Sequence, residues 1–346
     1  MAEPFVDYLA ARLPLVERAL AEAAARPLGA AAPADLERYL YGPLARFTAS
    51  GGKRVRPVLA LLGAEAVGGA AADALSCAVA VELFQSAALI HDDIADEGEL
   101  RRGEPCLHRT EGVGLAINAG DLALTQVIEV VLSDERLSPE RRLAAVGELV
   151  RMERHTLEGQ ALDLGWVRDA RWDLTSDDYL YMVESKTAWY SAAVPLLVGA
   201  LVGGGSAEAA RGLCELGRAA GIAFQLQDDL LNLVGDAEAQ GKDFRSDITE
   251  GKRTLAVVWA LEHLAEKDRD ELVVLLAKRT TDAAELGRAV ELIEAGGGIE
   301  RCQTLAREKA DEAKAGARAL AEQGHITVEA RDLLVSMADF FVERAG

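Results

Sequence analysis

An all-α fold is what this sequence predicts, and three observations carry that reading. Ala, Leu, Glu and Arg dominate the chain, and all four are strong helix formers. Long segments repeat apolar residues at spacings of three and four, as at Leu143, Val146, Leu149 and Val150, which is the period of a helix with one face turned to a core. No series of short alternating strands bounded by turn residues appears, as a sandwich or barrel requires.

Taken in order, MAEPFVDYLAARLPLVERAL reads as a peripheral helix that ends by about residue 33 in the Ala/Pro/Gly-rich RPLGAAAPAD. Its early acids and lack of a long apolar core predict no secretory signal. Gly51-Gly52 then allow a turn and a close backbone approach before the basic run Lys53-Arg54-Val55-Arg56. The stretch from Ala71 to Asp96 has few polar interruptions until its end. A helix apolar nearly all round is expected to be covered by neighbours on several sides. Breaks are small, at Gly68–Gly69, Gly203–Gly205 and Gly296–Gly298. No Pro/Ser-rich linker divides the chain, so a single helical domain over residues 1–346 is expected, and no uncharged apolar run of about 18 residues suggests a membrane span.

Asp plus Glu number 57 against 37 Lys plus Arg, a formal charge of −20, which repels a phosphate backbone and argues against general nucleic-acid binding. The cysteines Cys77, Cys106, Cys214 and Cys302 are scattered with no CxxC pair, a spacing that suits neither a zinc site nor a disulfide framework. A reducing cytoplasm is the expected location.

Two acidic clusters stand on apolar sequence. His91-Asp92-Asp93-Ile94-Ala95-Asp96 follows Ala87–Ile90, and on a helix Asp92 and Asp96 share a face. Gln225-Leu226-Gln227-Asp228-Asp229-Leu230-Leu231-Asn232 follows Gly221–Phe224, and there Asp228 and Asn232 share a face with Gln225 one turn earlier. Acids four apart on a solvated helix mean nothing by themselves. On an apolar helix an unpaired carboxylate is costly to bury, so each cluster calls for a cation or a water-filled cavity. Oxygen ligands without His or Cys support suit Mg²⁺, which keeps several waters and takes one or two carboxylates plus substrate phosphates. Basic groups at Lys53-Arg54-Val55-Arg56, Arg101-Arg102, Lys186, Lys242 and Lys252-Arg253 are each explicable as helix-end charges. Together with the acids they suit a diphosphate, bridged by metal on one side and gripped by guanidinium on the other.

The chain resembles the trans-isoprenyl diphosphate synthases, the polyprenyl synthetase family, and within them the geranylgeranyl diphosphate synthases. The resemblance covers roughly Leu40 to Leu261 and rests on GGKRVRP (Gly51–Pro57), LIHDDIAD (Leu89–Asp96), RRGEP (Arg101–Pro105), INAGD (Ile117–Asp121), SKTA (Ser185–Ala188), FQLQDD (Phe224–Asp229) and GKDFRSDITEGKRT (Gly241–Thr254). It implies a helical bundle of the isoprenoid synthase type whose central cavity is flanked by two Asp-rich helices. By the same resemblance Lys53, Arg56, Gln85 and Arg102 hold the diphosphate of isopentenyl diphosphate. Arg101, Lys186, Lys242 and Lys252 contact the allylic diphosphate, with Thr187 and Gln225 near the developing cation. Metal falls to Asp92, Asp93 and Asp96 on one side, and to Asp228, Asp229 and Asn232 on the other, with three Mg²⁺ per site and a homodimer implied. Two positions depart from the family pattern: Gln85, where His is common, and Asn232, where Asp is common. An amide donates to phosphate less strongly than an imidazolium, and a neutral oxygen weakens metal binding.

The implied reaction is a head-to-tail condensation. The allylic diphosphate ionises, isopentenyl diphosphate attacks the allyl cation, and a proton leaves, with the departing diphosphate able to take it. Metal and cationic side chains stabilise the leaving group, and no activated Ser or Cys is needed. Among the histidines only His91 sits in a motif, where it is expected to orient carboxylates. If the product grows from Asp92 back along its helix, Ala88 and Ala87 leave the upper path open. Phe84, about 12 Å deeper at about 1.5 Å per residue, is then the floor, unless it is an ordinary core phenylalanine facing elsewhere. This geometry favours a C20 product over C15, with longer chains also open. A class I terpene cyclase shares the Asp-rich motif but needs no isopentenyl diphosphate pocket, and a non-catalytic partner subunit would be expected to lose its acidic motifs.

Overall fold

The structure, a computed structural model, describes residues 4–24, 34–235 and 244–343. Its main helices are α1 (Pro4–Ala24), α2 (Gly42–Ala49), α3 (Val55–Ala66), α4 (Leu75–Ala95), α5 (Val113–Leu132), α6 (Pro139–Arg168), α7 (Ser176–Val183), α8 (Val194–Gly203), α9 (Ala207–Val234), α10 (Leu255–His263), α11 (Glu266–Lys278), α12 (Ala283–Ala295), α13 (Gly298–Glu322) and α14 (Val328–Glu343). The three glycine breaks expected from sequence all fall at helix ends. Where the sequence predicts no strands, one two-residue hairpin occurs: Leu100–Arg101 pairs antiparallel with Glu104–Pro105. Its two central residues, Arg102 and Gly103, have φ of 54° and 84°, the left-handed pair that a tight two-residue hairpin loop demands.

The chain divides into two compact units. The first comprises residues 1–153, 190–214 and 319–333, and the second residues 154–189, 215–318 and 334–346.

In the first unit α3 and α8 meet at backbone distance. A Cβ on Gly63 would lie 2.3 Å from the Leu196 carbonyl oxygen, and one on Gly199 would lie 2.0 Å from that of Ala60, so only glycine permits this approach. On α4, Ala87 and Ile90 pack with Leu44, Phe47, Leu107, Ala116, Ala119 and Ala123. Helix α1 is fastened to α3 by Tyr8 and Arg12, which both donate to Glu65, and it buries Phe5, Val16 and Leu20.

In the second unit, Tyr179, Met182 and Val183 of α7 pack with Ile222, Leu226 and Leu230 of α9 and with Leu255 and Val258 of α10. Between α7 and α8 the chain runs through a π-helical stretch, Glu184–Ala193. Wide turns of this kind are uncommon and recur at functional sites. Pro195 follows two residues later, and its missing N–H leaves the carbonyl four residues upstream without an α-helical donor.

Among the described residues, two helical segments, Ala71–Ala95 and Val113–Leu132, are long and apolar enough to cross a bilayer by length and composition. The first is 72% buried within the protein, as a core helix is, and the second 39%. Helix α6 exposes Leu143, Val150, Leu157 and Leu164. Their seven-residue spacing places them in one apolar stripe.

Candidate active site

The first acidic motif closes α4. Acids are disfavoured at a helix C-terminus because the macrodipole is negative there, so these carboxylates need positive partners. Asp93 has one inside the protein: it is buried, and its Oδ1 accepts from Arg101 Nε at 2.9 Å and from Nη2 of the same guanidinium. That carboxylate raises the Arg101 pKa against the burial that works to lower it. Asp92 and Asp96 remain half-buried, one turn apart. His91 Nε2 lies 3.5 Å from Asp121 Oδ1, and Gly120 admits the ring, since a Cβ there would come within 2.3 Å of His91 Nε2. His91 therefore sits beside Asp121 and the Ile117 carbonyl of the INAGD motif.

The basic motif lies in the same unit. Gly51 and Gly52 have φ of 92° and 130°. A Cβ on Gly52 would lie 2.9 Å from Arg102 Nη2, and Arg102 Nη1 donates to the Gly51 carbonyl. The glycine pair thus cradles the guanidinium carried on the hairpin tip. Arg56 donates to Ser191 Oγ at 3.0 Å and lies over the Tyr190 ring, 4.6 Å from its centroid. Arg54 turns away into the protein, buried and at φ 48°. It donates to Glu17 Oε1 (2.7 Å), Glu82 Oε1 (2.5 Å) and the Thr48 carbonyl. With its amide turned so that the oxygen faces Arg56 and the nitrogen faces Glu82, the orientation that satisfies both ends, Gln85 donates to Glu82 Oε2 at 3.1 Å and accepts from Arg56 Nη1 at 3.0 Å. Gln85 is therefore a link between two charged side chains, a use that a reading of it as a phosphate donor alone does not foresee.

The second unit gathers Asp163, Asp229, Asp247, Lys186, Lys252 and Arg253 around a small cavity of about 80 Å³, with Thr187 and Gln225 in its wall. Lys186 sits on the π-helical stretch, whose backbone is squeezed between glycines. A Cβ on Gly159 would meet Lys186 N at 2.3 Å, and one on Gly221 would meet Ala188 Cα at 2.6 Å. Lys186 Nζ donates to buried Asp163, which holds that carboxyl below its usual range despite burial. Asp229 accepts from Tyr179 Oη at 2.5 Å and from Gln225 Nε2 at 2.8 Å. Burial, and then the nearby Asp247 charge, push the Asp229 pKa up to about 7. Burial likewise lifts Asp247 to about 6, opposed by Lys252. Lys252 Nζ pairs with Glu250 at 2.6 Å. Arg253 is buried over Trp172, 3.8 Å from the ring centroid, and burial lowers its pKa to about 10. Asn232 donates to Ser246 Oγ at 3.0 Å and accepts from the Asp247 N–H at 3.2 Å. Asp228 is half-buried.

Of the residues expected as metal ligands, Asp93 and Asp229 are buried against protein partners, whereas Asp92, Asp96, Asp228 and Asn232 are half-buried. Ala87 lies in the seam against α5, Ala88 is half-buried, and Phe84 is buried edge-on to Tyr190 with centroids 5.7 Å apart. Lys242 lies outside the described residues. Sequence reasoning missed Glu82, Asp163, Asp247 and Tyr179. Glu82 and Asp163 could have been found as solitary charges inside apolar helical stretches.

Among the described residues no three carboxylate, imidazole or thiol groups converge into a metal cage. Mg²⁺ takes few carboxylates and completes its octahedron with water and phosphate oxygens. Half-buried, oxygen-only Asp92 and Asp96 of the first unit fit such an ion, and Asp228 of the second unit, taken by itself, offers the same kind of ligand.

Residues 37–293 match the polyprenyl synthetase family. A short chain isoprenyl diphosphate synthase of Methanothermobacter thermautotrophicus is 41% identical over 297 residues, covering 85% of this chain and 87% of the relative. The crystal structure of a geranylgeranyl pyrophosphate synthetase from Pyrococcus horikoshii superposes with a TM-score of 0.87 at 32% identity, over 98% of each chain. A geranylgeranyl pyrophosphate synthase from Corynebacterium glutamicum, complexed with isoprenyl diphosphate and magnesium, gives a TM-score of 0.84 at 29% identity over 99% of each chain.

The raised carboxyls set a direction for stability against pH. Between about pH 4, where an unfolded Asp titrates, and about pH 7, the native protein keeps a proton on Asp229 that the unfolded chain has released. Stability in metal-free buffer therefore falls as pH rises through this window and levels above it. Urea midpoints in EDTA at pH 5, 6, 7 and 8 should show this decline, and Asp229→Asn should flatten it. An unchanged slope in the variant would contradict the assignment.

Proposed function

We propose that this chain, which belongs to the polyprenyl synthetase family, condenses isopentenyl diphosphate with an allylic diphosphate to a linear all-E prenyl diphosphate of geranylgeranyl length (C20). The observation that carries the reading is the cationic group Lys53, Arg56 and Arg102, built into the same unit as half-buried Asp92 and Asp96. A terpene cyclase, which takes a single diphosphate substrate, has no use for it.

Lys53, Arg56 and Arg102 hold the diphosphate of isopentenyl diphosphate, with the Gly51-Gly52 cradle setting the Arg102 guanidinium in place before substrate arrives. Arg101, Lys186 and Lys252 neutralise the allylic diphosphate. Asp92 and Asp96 in the first unit, and Asp228 in the second, are the positions that would hold Mg²⁺. Bound there, the ion supplies Lewis-acid stabilisation of the charge that collects on the leaving diphosphate. Thr187 and Gln225 present polar atoms near the developing allyl cation. The nucleophile is the substrate's own double bond, so the protein contributes position and electrostatics rather than covalent chemistry. The exposed apolar stripe Leu143, Val150, Leu157 and Leu164 supports a homodimer, because regularly spaced uncovered apolar side chains mark association surfaces.

The test is direct. Purified protein, Mg²⁺, isopentenyl diphosphate and each of the dimethylallyl, geranyl and farnesyl primers should yield a C20 diphosphate. Asp92→Ala should reduce turnover by at least about a thousandfold, on the scale of a lost electrostatic catalytic group. Hydrocarbon formed from geranylgeranyl diphosphate alone would instead identify a cyclase.

Chain length is set by Phe84, whose ring is braced by Tyr190. Radio-chromatography of Phe84→Ala products should show chains longer than C20. An unchanged product distribution would remove Phe84 as the floor.

A further inference from the structure

Glu82 is the only charged residue between Leu75 and Ile90 on α4, and it is 1% exposed. A lone carboxylate in such a helix is costly unless every acceptor site is used. Here both oxygens are engaged, and toward different partners. Oε1 receives Arg54 at 2.5 Å, and Oε2 receives the Gln85 amide at 3.1 Å, while the Gln85 oxygen takes Arg56 Nη1 at 3.0 Å. Arg54 in turn is the left-handed residue that opens α3, flanked in the chain by Lys53 and two residues before Arg56. Its remaining donors reach Glu17 of α1 and the Thr48 carbonyl of α2.

Three guanidinium groups therefore surround this one carboxylate. Burial raises the Glu82 pKa, and Arg54 foremost, then Arg56 and Arg102, work to lower it; burial and then the neighbouring Arg54 lower the Arg102 pKa, which Glu82 works to raise. Without a central counter-charge, cations collected to receive a diphosphate repel one another and splay apart. With it, they are held together in advance and the ordering cost on binding falls.

We infer that Glu82 is a positioning residue for isopentenyl diphosphate: through Arg54 it fixes the turn bearing Lys53, and through Gln85 it sets the Arg56 guanidinium. Arg54, despite its place in the basic motif, belongs to this support and not to the substrate contacts. The inference rests on the assignment of Lys53, Arg56 and Arg102 to the isopentenyl diphosphate site.

The side-chain chemistry selects the variant. Glu82→Gln keeps the shape but has one acceptor oxygen for two donors, so either Arg54 or Gln85 must face an NH₂ group. Steady-state kinetics with each substrate varied in turn should show the KM for isopentenyl diphosphate rising about tenfold, the loss expected of a broken charge-assisted contact. The KM for the allylic substrate should stay within about twofold, and the melting temperature should not account for the change. Glu82→Asp retains the charge at shorter reach and should give a smaller rise in the same KM. It carries the test should Glu82→Gln not fold. An unchanged isopentenyl diphosphate KM, or equal rises in both KM values tracking a loss of folded protein, overturns the inference. Lys53→Ala separates the two levels. If it too leaves that KM unchanged, the site assignment itself fails, whereas an effect of Lys53→Ala without one of Glu82 variants rejects the positioning role alone.

Discussion

Carboxylates placed on apolar helices are the constraint on which this structure turns. Removing a charged group from water costs several kcal/mol unless a partner with good geometry meets it, and this fold does so repeatedly, at Glu82, Asp93, Asp163 and Asp229. Each is met inside the protein. Arg54 and Gln85 meet the first, Arg101 the second and Lys186 the third. Tyr179 and Gln225 meet Asp229, and Lys252 lies 3.7 Å from Asp247.

The same rule sorts the two acidic motifs internally. In the first, Asp93 is turned inward to Arg101 while Asp92 and Asp96 stay half-buried. In the second, Asp229 is turned inward to Tyr179 and Gln225 while Asp228 stays half-buried. The inward member is tied to the protein, and the half-buried member keeps contact with solvent. The raised Asp229 pKa follows from this division: a buried carboxyl with another acid, Asp247, nearby holds its proton toward neutrality.

Much of this was legible in the residues. The helical period, the glycine breaks and the order of the charged motifs are local features, so helices and motif positions follow from them. The Arg102 hairpin was not foreseen, because two-residue strands leave no alternation to read. Nor was the partnership within each acid pair, since adjacent Asp residues look alike until a distant Arg101 or Tyr179 picks one of them. Glu82 was visible as a lone charge in an apolar run, yet its partners Arg54 and Gln85 come from a separate helix and from the next turn. A period of 3.6 assigns Ala87 a face of its helix but not which neighbour covers it, here α5.

The division of labour within the acidic pairs is open to one direct measurement. Calorimetric titration of inorganic pyrophosphate with and without Mg²⁺ isolates the metal-dependent increment in binding. The account predicts that Asp92→Asn and Asp228→Asn abolish that increment, while Asp93→Asn and Asp229→Asn retain it. Loss of the increment in the inward pair, with the half-buried pair unaffected, would contradict it.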